Sequence, residues 1–404
     1  MLRIGIIGKT NTGKTTFFNS ATMLSAEISS YPFTTKRPNI GTSYVQTVCA
    51  CRELKIKDNP QNSTCMDGWR FIPVELVDLP GLIKDSWTGK GLGNQFLMVA
   101  AQADAILHVV DASGSINAEG EITKPGMGNP VIDIYDIEEE LVMWFAKAVE
   151  RNMKKVLRRM KRVNLPLDKA LSDVLGGFKV RPEQVQLALR KSTLEFKEIE
   201  KWTWEDIKNF AGEVREISKP TIIIANKMDL PPAEKNLELM TKTFGSKFIV
   251  PCCSEAELAL RRAEQKGLIK YVPGEEAFRV SEEGRLNKEQ AWALNYVQER
   301  VLSKFMTTGI QYALNTCVFR LLKMNTVYPV EDAANLSDKK GNVLPDVFLM
   351  PDNDTVRDLA AQIHSQLLDT MIYAVDARTG LRLPFDYVLK DRDIINIVAA
   401  ARRK

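Results

Sequence analysis

The chain has 404 residues, beyond the roughly 250–300 at which a single hydrophobic core stops growing, so two or three domains are expected. With 45% hydrophobic and 26% charged residues, it is neither disordered nor collagen-like. A net charge of +4 is too small over this length to imply nucleic acid, no run approaches the 18 or so apolar residues of a membrane span, and six cysteines are too few for a disulfide scaffold. Residues 1–7 lead straight into Gly8, leaving no room for a leader, so a cytoplasmic protein without membrane association is expected, as a monomer.

In chain order, residues 2–7 (LRIGII) form an apolar run bounded by Gly8, and residues 17–24 continue as a helix. Residues 73–78 (PVELVD), 105–111 (AILHVVD), 220–226 (PTIIIAN) and 247–252 (KFIVPC) are further apolar runs. Each is followed by a turn signal and then helical or polar sequence, which predicts a mostly parallel α/β sheet. About a hundred residues after Asp111 interrupt it, far more than an ordinary loop. Within them Val142, Phe145, Val149, Met153, Val156, Met160 and Val163 recur at steps of three or four. Val185, Leu189, Ser192, Phe196 and Ile199 repeat the pattern, as do Ile207, Phe210, Val214 and Ile217, while 164–182 is rich in breakers. An antiparallel, coiled-coil-like helical hairpin is expected here. Helices are expected at 257–263 and 288–305, strands at 318–322, 347–350 and 394–398, and an amphipathic helix at 355–368.

Three constellations carry chemistry. Gly8-Lys9-Thr10-Asn11-Thr12-Gly13-Lys14-Thr15 satisfies G-x-x-x-x-G-K-[ST] between a strand and a helix. Its glycines let successive N–H groups turn toward phosphate oxygens, and the helix dipole adds positive potential. Gly8, Asn11, Thr12, Gly13, Lys14, Thr15 and Thr16 are the expected phosphate contacts, with Lys14 reaching the terminal phosphates and the Thr15 hydroxyl on Mg2+. Asn226-Lys227-Met228-Asp229 follows a strand: the Asp229 carboxylate can accept from the ring N–H and amine of guanine, whereas adenine offers an acceptor at the first of these points. Asp78-Leu79-Pro80-Gly81 places Asp78 to hold Mg2+ through water and the Gly81 N–H to sense the γ-phosphate. Leu82 occupies the position where Ras-like switches carry a water-orienting glutamine, so hydrolysis must rely on another group, a cation or a partner.

Residues 31–41 (YPFTTKRPNIG) resemble the switch I segment of Obg-family GTPases in the YchF-related branch. The resemblance implies that Thr35 closes over Mg2+ and the γ-phosphate, giving Lys14, Thr35 and Gly81 as the catalytic set. Residues 89–93 (GKGLG) resemble the family's switch II. Cys253-Ser254-Glu255 is similar to its base-supporting loop, with cysteine and serine replacing serine and alanine. Residues 351–363 and 387–398 look like a TGS domain, a β-grasp module. Bacterial and human YchF-type proteins lack the N-K-x-D aspartate and prefer ATP, whereas Asp229 is present here and argues for GTP.

Other residues carry weaker signals. In several potassium-activated GTPases an asparagine at the Asn11 position helps ligate K+; an asparagine tolerating an awkward turn angle is the equal alternative. Cys49, Cys51 and Cys65 invite a zinc reading, yet no histidine or fourth cysteine lies between Thr42 and Trp69, so free buried thiols are expected. The side chains of Cys252, Cys253 and His108 read as packing. The run Lys147, Arg151, Lys154, Lys155, Arg158, Arg159, Lys161 and Arg162 is either a solvated helix face or a surface for RNA phosphates.

The expected architecture is therefore α/β: a Ras-like P-loop GTPase core (1–115 and 218–265) interrupted by a helical hairpin (116–217), then a helical connection (266–317) and a TGS-like α+β domain (318–404). The expected activity is Mg2+-dependent GTP hydrolysis by a slow, partner-stimulated switch, the ribosome or its RNA being the partner implied by resemblance. A YchF-type ATPase and a nucleotide-holding scaffold without meaningful hydrolysis are the alternatives.

Overall fold

The computed structural model describes residues 1–23, 38–79, 81, 101–245, 248–281 and 286–400. It divides into two compact units, Leu2–Thr42 with Glu75–Ala313, and Ser43–Val74 with Leu314–Lys404. This division cuts across the expected first domain, 1–115, because its 43–74 segment groups with the C-terminal residues. No helix among the described residues is long and apolar enough to cross a membrane.

β1 (Arg3–Ile7) lies between β4 (Trp69–Asp78) and β5 (Ala105–Asp111), parallel to both. β6 (Thr221–Asn226) and β7 (Phe248–Pro251) extend the parallel array. The full sheet order is β2-β4-β1-β5-β6-β7, with β2 at Asn39–Val48 and β3 (Thr64–Met66) paired to β4. Every residue of β5 is buried, which is why this strand reads as an unbroken apolar run rather than an alternating one. All the parallel strands end at one edge, bringing Gly8, Asp78, Asp111 and Asn226 together there.

The insert is not a hairpin. α3 (Pro130–Val163) opens with the Asn129 side chain accepting from Val131 N and Ile132 N, and stops at Asn164 with φ 50°. The breaker-rich stretch after it holds α4 (Leu167–Leu175), followed by α5 (Pro182–Lys191) and α6 (Trp204–Ser218). α3 packs on α4 and α6, and α5 on α4 and α6, closing a four-helix arrangement. Leu141, Phe145 and Val149 of α3 share one core with Leu171, Leu189, Phe210 and Val214, continuous with Ile7, Val77 and Ile106 of the sheet. Phe196, expected on the second stripe, is 94% exposed because α5 ends at Lys191.

The larger unit also holds α7 (Ala233–Phe244), α8 (Ser254–Gln265), the small hairpin β8 (Ile269–Lys270) and β9 (Arg279–Val280), and α9 (Lys288–Val297). The other unit holds α2 (Ala50–Leu54) and a five-stranded sheet of order β11-β10-β14-β12-β13: β10 (Met324–Val330), β11 (Phe348–Pro351), β12 (Met371–Asp376), β13 (Arg382–Leu383) and β14 (Asp393–Ala399). β10 and β14 run parallel, and the other pairs are antiparallel. α10 (Val356–Ile363) buries Val356 and Leu359 against Val327, Met350 and Ile395, a β-grasp arrangement. The strand expected at 318–322 is instead the π-helical stretch Thr316–Leu321, and the long amphipathic helix breaks at His364, where φ is −167°.

Candidate functional site

The phosphate loop bridges β1 and α1 (Lys14–Thr22). Two glycines make the turn possible. Gly8 holds φ 146° and a Cβ there would fall 2.2 Å from Val109 O; Gly13 holds φ 96° and a Cβ would fall 2.3 Å from Asn226 Nδ2. Thr12 Oγ1 and Lys14 Nζ both donate to Lys9 O, at 3.0 and 2.6 Å, so the lysine lies folded over its own loop. Burial lowers the Lys14 ammonium to about 8, the charge of Asp78 working against that shift. Asn11 sits at φ 65° and donates from Nδ2 to Gly120 O at 2.8 Å. Thr16 lines the neighbouring cavity.

Thr15 Oγ1 donates to Asp78 Oδ2 at 2.8 Å, and Asn39 Nδ2 donates to the same oxygen at 3.3 Å. Burial raises the Asp78 carboxyl above its ordinary range, opposed by Lys14, Thr15 and Asn39. Its other oxygen, Oδ1, is buried without a hydrogen-bond partner among the described residues. A buried carboxylate oxygen left open beside a threonine hydroxyl fits the donor set that Mg2+ takes, so Thr15 and Asp78 suit that ion. Gly81 abuts the loop so closely that a Cβ would fall 2.5 Å from Thr10 Oγ1. Thr35, Leu82 and residues 89–93 lie outside the described residues.

At the next strand end, Asn226 Nδ2 donates to Thr12 O at 2.9 Å, while its Oδ1 accepts from Ser254 N and Oγ, both at 3.0 Å. Asn226 therefore ties the phosphate loop to the start of α8. Lys227, at φ 62°, donates from Nζ to Asp111 Oδ2 at 3.1 Å and Ser115 Oγ at 3.2 Å. The Asp229 carboxylate accepts from Cys253 Sγ (3.2 Å) and Tyr296 OH (3.3 Å). Gly13, Asn226, Lys227, Asp229, Ser254 and Glu255 are among the residues lining a cavity of about 230 Å³. Burial, then the Asp229 charge, pushes the Cys253 thiol well up, so it stays a neutral donor.

Other participants were not expected from the sequence. Asp111 accepts from the N–H and Oγ of both Ser113 and Ser115, at 2.6–3.0 Å, and so holds Lys227 in place. Lys9 of the phosphate loop pairs with Asp133 in the first turn of α3 at 2.8 Å, both nearly buried. Tyr296 arrives from α9. The ending of an apolar run in Asp111 was the available signal; nothing in the local sequence pointed to Asp133 or Tyr296.

Residues 3–140 match the family described as "50S ribosome-binding GTPase", residues 224–332 that of "Obg-like GTPase YGR210-like, G4 motif-containing domain", and residues 338–399 the TGS domain. A protein of Methanocaldococcus jannaschii described as an uncharacterized GTP-binding protein is 44% identical over 402 residues, the full length of both chains. A ribosome-binding ATPase YchF of Buchnera aphidicola is 30% identical over 282 residues, 66% of this chain and 70% of that one. The crystal structure of a GTP binding protein from Pyrococcus horikoshii superposes with a TM-score of 0.79 at 34% identity, over 99% of this chain and all of that one. With the three family matches following one another in this order and a relative alike from end to end, the chain belongs to the Obg-like GTPases of the YchF-related branch that carry a C-terminal TGS domain.

Proposed function

We propose that the chain binds GTP with Mg2+ and hydrolyses it to GDP and phosphate, acting as a switch read by the ribosome or its RNA. The observation that carries this reading is the meeting of Lys14, Thr15 and the half-satisfied Asp78 with Asn226, Lys227 and Asp229 at one sheet edge. In this reading the nucleotide domain comprises 1–115 and 218–265, less the segment that groups with the C-terminal unit. The loop amides, Lys14 and Gly81 hold the phosphates, Thr15, Thr35 and Asp78 hold Mg2+, and Asp229 receives the guanine edge. Bound Mg2+ would neutralise phosphate charge. Lys14 and Thr35 would orient the γ-phosphate, and with Leu82 in the glutamine position, basal turnover is expected to be slow.

The exposed face of α3 supports the partner. Arg151, Lys154, Lys155, Arg158 and Arg162 are exposed and take no acidic partner among the described residues, whereas Lys147, Arg159 and Lys161 pair with Glu150, Asp173 and Glu200. Unpaired cations along one helix suit a phosphate backbone rather than a sequence-specific site.

A second reading, ATP in place of GTP, draws on one observation: both Asp229 oxygens already have donors, Cys253 and Tyr296, which guanine would have to displace. Titration calorimetry of nucleotide-free protein with GDP, a GTP analogue and an ATP analogue, each with Mg2+, separates the two. Strong guanine preference is expected; equal or tighter ATP binding would refute the guanine reading. Phosphate release measured in K+ and in Na+ then tests for cation-assisted turnover, to which a mere scaffold would not respond.

A further inference from the structure

Within the smaller unit, three cysteines and an aspartate converge. Cys49 caps the N-terminus of α2, Cys51 lies in its first turn, Cys65 is in β3, and Asp58 comes from the loop between α2 and β3. The spacing is C-x-C-x6-D-x6-C. The expectation of free thiols rested on the absence of a fourth cysteine or histidine; the fold supplies a carboxylate instead. Three Sγ atoms and one carboxylate oxygen lie within 4.8 Å of one another.

We propose that Cys49, Cys51, Asp58 and Cys65 form a structural zinc site. Two of the six edges can be compared with an ideal tetrahedron, and the remaining four are no longer than 4.8 Å. A tetrahedron with Zn–S of about 2.3 Å has S···S edges of about 3.75 Å, and with Zn–O of about 2.0 Å its S···O edges are about 3.5 Å. The structure gives 3.7 Å between Cys51 Sγ and Cys65 Sγ, and 3.3 Å between Cys49 Sγ and Asp58 Oδ2. A disulfide would need about 2.05 Å and would leave the third sulfur over.

The surroundings are built for a charged centre. The Arg70 side chain is fully buried with Nη2 3.6 Å from Asp58 Oδ2, and it is held by Leu344 O at 2.7 Å and Ser63 Oγ at 3.2 Å. Three thiolates and a carboxylate around a dication leave a charge of −2, which the guanidinium halves. The loop carrying Asp58 is fixed from outside: Asn59 N donates to Val343 O (2.8 Å), Gln61 N to Pro345 O (2.6 Å) and Val347 N to Asn62 Oδ1 (3.0 Å). The sulfur-rich donor set favours zinc over Mg2+ or Ca2+. Four protein donors leave no open position, so the ion would hold α2, the Asp58 loop and β3 together rather than catalyse, its entry releasing the thiol protons to solvent.

The test uses the full chain purified under reducing conditions, with metal measured by mass spectrometry and by cobalt titration of chelator-stripped protein. About one zinc per chain is expected, with a tetrahedral cobalt–thiolate spectrum displaced by zinc. Cys65→Ser and Asp58→Asn should weaken cobalt binding by about a hundredfold or more, while Cys317→Ser leaves it unchanged. Where Cys65→Ser fails to fold, the wild-type spectrum and Asp58→Asn still decide. Absence of zinc and of a cobalt–thiolate spectrum in reduced wild-type protein, a Cys51–Cys65 disulfide in its place, or cobalt affinity unchanged in Asp58→Asn would overturn the site.

Discussion

Replacing Asn226 with alanine should loosen two loops at once. Its carboxamide joins Thr12 O to Ser254 N and Oγ, and all three residues are nearly sealed from solvent, at 3%, 1% and 1% exposure. Truncation leaves a buried carbonyl and a buried N–H without partners, each costing about 1–2 kcal/mol, whereas the Ser254 hydroxyl can turn elsewhere. The sum is about 3 kcal/mol, or about a hundredfold in the local opening equilibrium. Hydrogen exchange of nucleotide-free protein reads this directly. Amides of residues 14–18 and 254–258 should exchange about a hundredfold faster in Asn226→Ala, while those of α6 keep their rates. Acceleration below about tenfold, or equal acceleration in α6, would show that Asn226 does not couple the loops.

Other outcomes follow from the same site. Burial holds Lys14 near 8 against an ordinary 10.5, so its charge penalises the nucleotide-free fold below pH 8, a penalty that fades between 8 and 10.5. Because phosphate needs the cation, GTP binding should take up a proton and weaken by up to about tenfold per pH unit above 8, read by calorimetry in buffers of different ionisation enthalpy; flat affinity would refute it. Asp229→Asn exchanges an acceptor for a donor, so GTP affinity should fall by about a hundredfold or more and xanthosine triphosphate should regain it. Glu257 is buried, accepting from Tyr271 OH at 2.8 Å and Thr308 Oγ1 at 2.5 Å, yet burial still raises its carboxyl above 4.5. Its contribution is therefore full below pH 4.5 and lost as pH rises through the folded value, and Glu257→Gln should flatten the decline of melting temperature above pH 4.5.

The place of the candidate site at the sheet edge was legible because each motif sits where a buried parallel strand ends, and both the apolar run and the turn residues are local signals. Asp78 and Asn226 could be placed for that reason. The insert was misread for the opposite reason: α4 is nine residues between Pro166 and Gly176, too short for its Ala170, Leu171 and Leu175 stripe to stand out from the breakers around it. Val318 and Phe319 favour a strand by propensity but finish a helix, where Cys317 and Val318 are buried, so tertiary packing overrode them. Tyr296 and Asp133 reach the site from far along the chain, and Asp58 was missed because only cysteine and histidine were weighed as partners for three sulfurs.

The Lys9–Asp133 pair fastens the loop after β1 to the base of a long helix. Asp133 lies at the root of α3, whose 34 residues span about 51 Å at 1.5 Å each. A tilt of about 5° at the root would sweep Val163 through about 4 Å, a gearing by which an ångström-scale change beside Gly8 becomes a displacement that a large neighbour can feel. A long arm needs stiffness as much as length, and the shared core of α3 with α4 and α6 braces it against bending.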